Sequence, residues 1–217
     1  MSFCAVDHLT IVAPTLAAGA AWVHDRLGVH AQPGGQHPRM GTHNLLLRLG
    51  DKLFLEIIAS DPNASAPKRP RWFALDRIAA NARPRLAAWV ARTPDIRAHH
   101  AKATEDLGAI EPMNRGSLDW LITIPADGSL PLQGTAPTLI EWQCAAHPAD
   151  KLPDHGLSLR RLDIFHPDLD RLQRLLTALA MCGPIPVTPT ATAETPYLVA
   201  HIDTPQGTRL LSGRFEP

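Results

Sequence analysis

One pattern, met three times, limits what this chain can fold into. An apolar, strand-like run meets a proline, a capping-type Thr or Asp comes next, and an aliphatic residue then opens a helical periodicity. The three openings are Val12-Ala13-Pro14-Thr15-Leu16, Arg92-Thr93-Pro94-Asp95-Ile96 and Phe165-His166-Pro167-Asp168-Leu169. The Thr or Asp oxygen can take an orphan N–H of the first helical turn. Each helical pattern closes on a glycine, at Leu27-Gly28, Leu107-Gly108 and Cys182-Gly183, where the left-handed C-cap conformation carries no steric penalty. Leu16, Ala20, Val23 and Leu27 share one face of the first helix, and Leu169, Leu172, Leu176 and Leu179 one face of the third; the middle helix is weaker, with Ile96, Ala103 and Leu107 around His99-His100.

The segments after the helices repeat as well. Two apolar runs come after the first, Thr42 to Leu49 and Lys52 to Ile58, two after the second, Leu118 to Ile124 and Thr138 to Gln143, and two after the third, Tyr197 to Ile202 and Thr208 to Ser212. Strand, helix, strands in threefold succession predicts an α+β protein of repeated βαβ-type units. The expected divisions are a first unit over 1–60, a connecting lid segment over 61–84, a second unit over 85–146 and a third over 147–217. Trp72-Phe73-Ala74-Leu75-Asp76 in the connection reads either as an apolar anchor or as a lid over a substrate.

Composition removes several function classes. Lys plus Arg equals Asp plus Glu, 21 against 21, so no net field recruits nucleic acid. The 3 cysteines are far apart and form no C-x-x-C pair, which argues against a disulfide framework or a zinc ribbon and for a reducing, cytoplasmic setting. The amino terminus carries no basic-then-apolar leader and no run is long enough to span a bilayer, so no membrane partner is expected. The chain carries none of the Gly-x-Gly-x-x-Gly, Walker-type, Gly-x-Ser-x-Gly or His-Glu-x-x-His motifs.

Candidate chemistry sits where polar residues interrupt apolar strands, at His8, His43, Glu56 and Glu141. Glu56 and Glu141 lie 42 and 47 residues beyond their helix-opening prolines (56 − 14 and 141 − 94), each inside the last strand of its unit. A carboxylate among such neighbours costs several kcal/mol to bury unpaired. It calls for a metal, a protonated histidine or a shifted pKa. A mixed imidazole and carboxylate set suits Zn, Mn, Fe or Ni better than Ca. Asn44 stands beside His43; Arg71 is a candidate for an anionic substrate group or a solvated charge; Trp120 and Trp142 read as core aromatics or as substrate-facing rings. His37, among glycines and prolines, is expected in an exposed loop, which could overhang the mouth of the site. Arg161 and Asp163 of the third unit have no glutamate partner in its last strand, so that unit is expected to be non-catalytic.

With these residues in hand, the chain resembles the vicinal-oxygen-chelate proteins, specifically those with a glyoxalase-like domain. The matching stretches are Asp7-His8-Leu9, Pro33-Gly34-Gly35-Gln36-His37-Pro38, Gly41-Thr42-His43-Asn44, Leu55-Glu56-Ile57-Ile58, Arg71-Trp72-Phe73-Ala74-Leu75-Asp76 and Leu139-Ile140-Glu141-Trp142. The resemblance implies paired βαβββ modules forming a half-open mixed β-sheet barrel with helices packed outside. It implies a divalent metal held by first and last strands, here by His8, Glu56 and Glu141. The fourth position, counted back six residues from Pro94, falls on Ala88 (94 − 6). Glu56, Glu141 and His43 would then be catalytic, and Asn44, Arg71, Trp120 and Trp142 would face the substrate. The implied activity is a metal-dependent lyase, isomerase or dioxygenase acting on a small carbonyl or vicinal-oxygen compound. The alternative is a metal-free binding or sequestering protein of the bleomycin-resistance type. The third unit is expected either to extend the sheet or to cover its open side, and a homodimer is expected, since an odd unit leaves a free sheet edge.

Overall fold

The computed structural model describes residues 3–191 and 194–214. The first unit comprises β1 (Cys4–Val12), α1 (Leu16–Leu27), β2 (Gln32–His37), β3 (Thr42–Gly50) and β4 (Leu53–Ser60). The second comprises β5 (Arg85–Arg92), α2 (Ile96–Lys102), β6 (Ala109–Arg115), β7 (Leu118–Ile124) and β8 (Thr138–Trp142). The third comprises β9 (Ser158–His166), α3 (Leu169–Ala178), β10 (Met181–Cys182), β11 (Val187–Pro189), β12 (Tyr197–Thr204) and β13 (Gly207–Ser212). The caps anticipated from the repeat are present. Thr15, Asp95 and Asp168 accept from Ala18, Ala98 and Arg171 backbone N–H, and Gly28 takes φ 73° after α1. The second and third helices end short of their glycines, at Lys102 and Ala178.

The first two units share one sheet in the order β2-β3-β4-β1-β5-β8-β7-β6. Its second half repeats the first in reverse, so the halves are related by a pseudo-twofold between the antiparallel β1 and β5. The sheet curls into a half-barrel until its end strands approach. There Arg39 donates to the Pro112 carbonyl at 2.9 Å and pairs with Glu111, which also pairs with Arg69.

Strand alternation divides the apolar residues into two cores. Val12, Ile58, Ala88, Val90, Trp120, Ile122 and Ile140 line the concave side with Trp72 and Phe73. Leu9, Ile11, Leu55, Ile57, Leu86, Trp89 and Leu139 face the convex side, where α1 buries Val23 and Leu27. The third unit forms a separate sheet, β11-β9-β12-β13. Its Leu162, Ile164, Leu198, Ala200, Ile202 and Leu211 complete the convex core. It therefore backs the barrel wall instead of closing the open side, and it adds only the two-residue β10 to β1.

Candidate active site

Asp7 and His8 are sequence neighbours, and strict alternation would send them to opposite faces. A bulge prevents this. The β1–β5 register steps from Val6↔Ala91 to His8↔Val90, so Asp7 is the extra residue. Its side chain can then meet that of His8. The Asp7 carboxylate, fully buried, accepts from His8 Nδ1 at 2.6 Å, Trp142 Nε1 at 2.9 Å and His147 Nε2 at 3.1 Å. His147 Nδ1 accepts from Ala149 N–H, so its ring proton is on Nε2 and is given to Asp7. Burial would raise the Asp7 pKa, but the hydrogen bonds and charges of His147 and His8 win and hold it well below the usual carboxylate range.

With Nδ1 bound to Asp7, His8 presents Nε2 to the hollow, its ring stacked on Phe54 at 4.4 Å. Glu56 stands opposite, Oε2 3.8 Å from His8 Nε2, while its Oε1 accepts from Asn44 Nδ2 at 2.6 Å. Asn44 Oδ1 in turn accepts from Arg115 Nη1 at 3.0 Å, and the same nitrogen reaches His37 Nε2 at 3.3 Å. Arg115 can only donate, so His37 carries its proton on Nδ1 and gives it to Thr42 Oγ1 at 3.1 Å. Trp72 Nε1 donates to that hydroxyl as well. Burial first, then the charge of Arg115, pushes the His37 pKa down to about 3.

These groups line a narrow hollow of about 30 Å3 whose walls are Phe54, Trp72, Phe73, Trp120, Ile122, Ile140, Trp142 and Pro148. The 3-10 turn Trp72–Arg77 brings the two aromatics over the hollow by placing Phe73 and Ala74 at φ 55° and 54°. Ala74 N–H anchors it on the Gly128 carbonyl at 2.8 Å.

Of the residues expected at the site, His8, Glu56, Asn44, Trp120 and Trp142 come together in the lining. Glu141, His43 and Arg71 do not. Glu141 Oε2 accepts from Ile96 N–H at the start of α2 and Oε1 from Gln143. The register explains this. Thr10 pairs with Glu56 in the first half and Val90 with Thr138 in the second. Thr10 and Val90 each stand four residues before their proline (14 − 10, 94 − 90), so the counterpart of Glu56 is Thr138. Glu141 is an odd three residues further and faces the other side. His43 likewise alternates away from Asn44 and lies 4.0 Å from Asp61. Arg71 is bound to Asp76 and to the Gly41 carbonyl.

Asp7, Arg115 and His147 lie outside the residues expected at the site, and His37 was expected only in a loop. His37 is buried in β2, not exposed in a loop. The signal that could have exposed its role is Gly34-Gly35. An added Cβ would collide with Asn44 at Gly34, and at Gly35 it would meet Arg115 Cδ at 2.7 Å.

Two donors, His8 Nε2 and Glu56 Oε2, remain of the expected metal set. Ala88 and Thr138 occupy the second-half positions and a guanidinium shares the lining. Among the described residues no three His, Cys, Asp or Glu side chains converge as a metal centre. This donor set does not fit a resident divalent ion.

A curled sheet of two mirrored βαβββ halves around a polar hollow defines the vicinal-oxygen-chelate fold. The pattern of the glyoxalase-like domain family matches residues 6–180, and the chain belongs to that family. A hypothetical protein from Staphylococcus aureus has a similar structure, with TM-score 0.58 and 13% identity over 97% of this chain and 85% of that one. Methylmalonyl-CoA epimerase from Mycobacterium tuberculosis is similar at TM-score 0.42 and 17% identity, over 65% of this chain and 88% of its own. A single-residue variant of the Streptomyces coelicolor epimerase, in complex with 2-nitronate-propionyl-CoA, gives 0.42 and 15% over 65% and 95%. A comparison with curated proteins yields no match. Among the described residues no helix is long and apolar enough to cross a membrane.

Proposed function

We propose that the protein is an enzyme of the isomerase or lyase type that moves a proton on a small carbonyl compound, with His8 and Glu56 as its acid/base pair. The observation that carries this reading is the Asp7–His8 dyad, which aims Nε2 at a carboxylate 3.8 Å away inside a walled hollow. A base oriented by a buried carboxylate is the arrangement proton abstraction needs. One member of the pair takes the proton from the carbon next to the carbonyl, and the electron pair moves onto the carbonyl oxygen. The other member returns a proton to the carbon, so nothing is oxidised or reduced. Asp7 stabilises the imidazolium whenever His8 holds the proton, and Asn44 fixes Glu56 Oε1. The Trp and Phe walls exclude water.

The test is solvent-deuterium incorporation into a panel of small 2-oxo and 2-hydroxy compounds by chelator-treated protein. Glu56→Gln is expected to lower exchange about 10²- to 10⁴-fold, and equal rates in the variant and the parent would overturn the reading. Saturable binding without exchange would favour the binding and sequestering alternative. Among the described residues, a metal-dependent lyase or dioxygenase would have His8 and Glu56 alone as protein donors. Zn, Mn, Fe or Ni raising Tm in a manner lost in Glu56→Gln would restore it. A homodimer, with the exposed edge of β13 as its natural seam, is checked by light scattering.

A further inference from the structure

We propose that Arg115 is the anchor for a substrate carboxylate, so that the compound turned over is a short carboxylate anion whose reacting carbon lies between His8 and Glu56. The inference rests on the acid/base reading and narrows it to a substrate class. Arg115 sits at the end of β6, the strand that closes the half-barrel, and it lines the same hollow as His8 and Glu56. Both of its hydrogen bonds, to Asn44 Oδ1 and His37 Nε2, leave from Nη1. Among the described residues, Nη2 and Nε have no protein acceptor, and neither is a buried orphan. A guanidinium pinned on one nitrogen with its other N–H groups open is prepared for two parallel bonds to a carboxylate.

Three further features are accounted for by that role. His37 stays neutral beside the cation and accepts from it, which fixes the guanidinium without cancelling its charge. Glycine at position 35, with φ 154°, leaves the space that the Arg115 stem occupies. Asn44 bridges Arg115 and Glu56, accepting from the first and donating to the second. A molecule held by both is therefore short, with its carboxylate next to the carbonyl or one carbon away. The aromatic walls accept a small apolar substituent.

Pyruvate and 2,3-butanedione are matched probes, alike in shape around the reacting methyl ketone and different in charge. Calorimetric titration and deuterium exchange are run on wild type, Arg115→Gln, Arg115→Lys and Glu56→Gln, each first checked for unchanged Tm. Wild type is expected to favour pyruvate about 10- to 100-fold. Arg115→Gln should abolish that preference, and Arg115→Lys, which keeps the charge without the fork, should restore part of it. Glu56→Gln should keep the preference while losing exchange. A preference that survives Arg115→Gln, or wild type that does not distinguish the probes, overturns the anchor. If pyruvate binds selectively through Arg115 but never exchanges, the anchor stands and the acid/base reading falls. With equal exchange of both probes in wild type and Arg115→Gln, the acid/base reading stands and the anchor falls. Should Arg115→Gln unfold, Gly35→Ala displaces the same stem and is expected to weaken pyruvate more than butanedione.

Discussion

Three donors on one carboxylate make Asp7 the most constrained residue in the chain. Asp7→Asn presents an amide that cannot accept from both histidines, leaving a buried donor unsatisfied. The expected loss is about 3 kcal/mol, or roughly 6–12 °C in Tm, read by thermal denaturation; a Tm within a degree of the parent would contradict the network. pH separates Asp7 from His37. Unfolded His37 takes up a proton near 6.5 and the folded residue only near 3. The unfolded state therefore binds more protons across that window, and stability falls as pH drops from about 6.5 towards 3. Asp7, whose folded pKa is depressed, contributes stability above the ordinary carboxylate range that is lost as pH falls below it. His37→Gln is expected to flatten unfolding free energy against pH between 6.5 and 3 by up to about 1.4 kcal/mol per pH unit; an unchanged slope would mean that His37 titrates normally. His8, Glu56 and Asn44 were legible because each is a polar residue on the buried side of an apolar strand. Asp7 was not, since a bulge is invisible to an alternation rule, and Glu141 misled because a three-residue offset reverses its face.

Among the elements, α1 shows how closely the sequence binds helix to sheet. A Cβ at Gly19 would run into Ile57 of β4 and meet Ala13 Cβ at 3.0 Å. Gly19→Ala gains roughly 1 kcal/mol of helix propensity, yet it forces the helix off the sheet at a cost of about 1–3 kcal/mol. A net fall in Tm is expected, and a rise would show that the contact is loose. The helices and the apolar strands β1, β3, β4, β5, β7 and β8 follow from periodicity and caps. Strands β2 and β6 escaped it, because Gln32-Pro33-Gly34-Gly35 and Glu111-Pro112 offer neither alternation nor strand propensity. Tertiary pairing made them strands, and with them it placed His37 and Arg115 in the site. Of the pocket residues that sequence patterning missed, His37 and Arg115 stand on those two strands, Asp7 on the β1 bulge and His147 at the cap of the turn after β8.

For the whole molecule, the third sheet and the barrel wall share one core, so they should unfold together. The 5 tryptophans, at 22, 72, 89, 120 and 142, all precede the third unit. Leu198→Ala in β12 removes a side chain that is 1% exposed and is expected to cost about 2–5 kcal/mol. The midpoint followed by tryptophan fluorescence should shift as far as that followed by far-UV circular dichroism. A fluorescence midpoint that stays put would show the third sheet melting by itself. The sequence repeats strand, helix and strands three times, but nothing local tells whether the third repeat extends the sheet, covers the hollow or backs the wall, because each arrangement buries its apolar residues. What the fold delivers is a wall rigid enough to hold His8 and Glu56 across a narrow gap, with Glu141 outside it. The most direct test is the solvent-deuterium exchange rate of one turned-over compound in chelator-treated wild type, His8→Gln, Glu56→Gln and Glu141→Gln. The first two variants are predicted to fall at least about 100-fold while Glu141→Gln keeps the wild-type rate. A loss in Glu141→Gln equal to that in Glu56→Gln, or undiminished exchange in all three, would contradict the site described here.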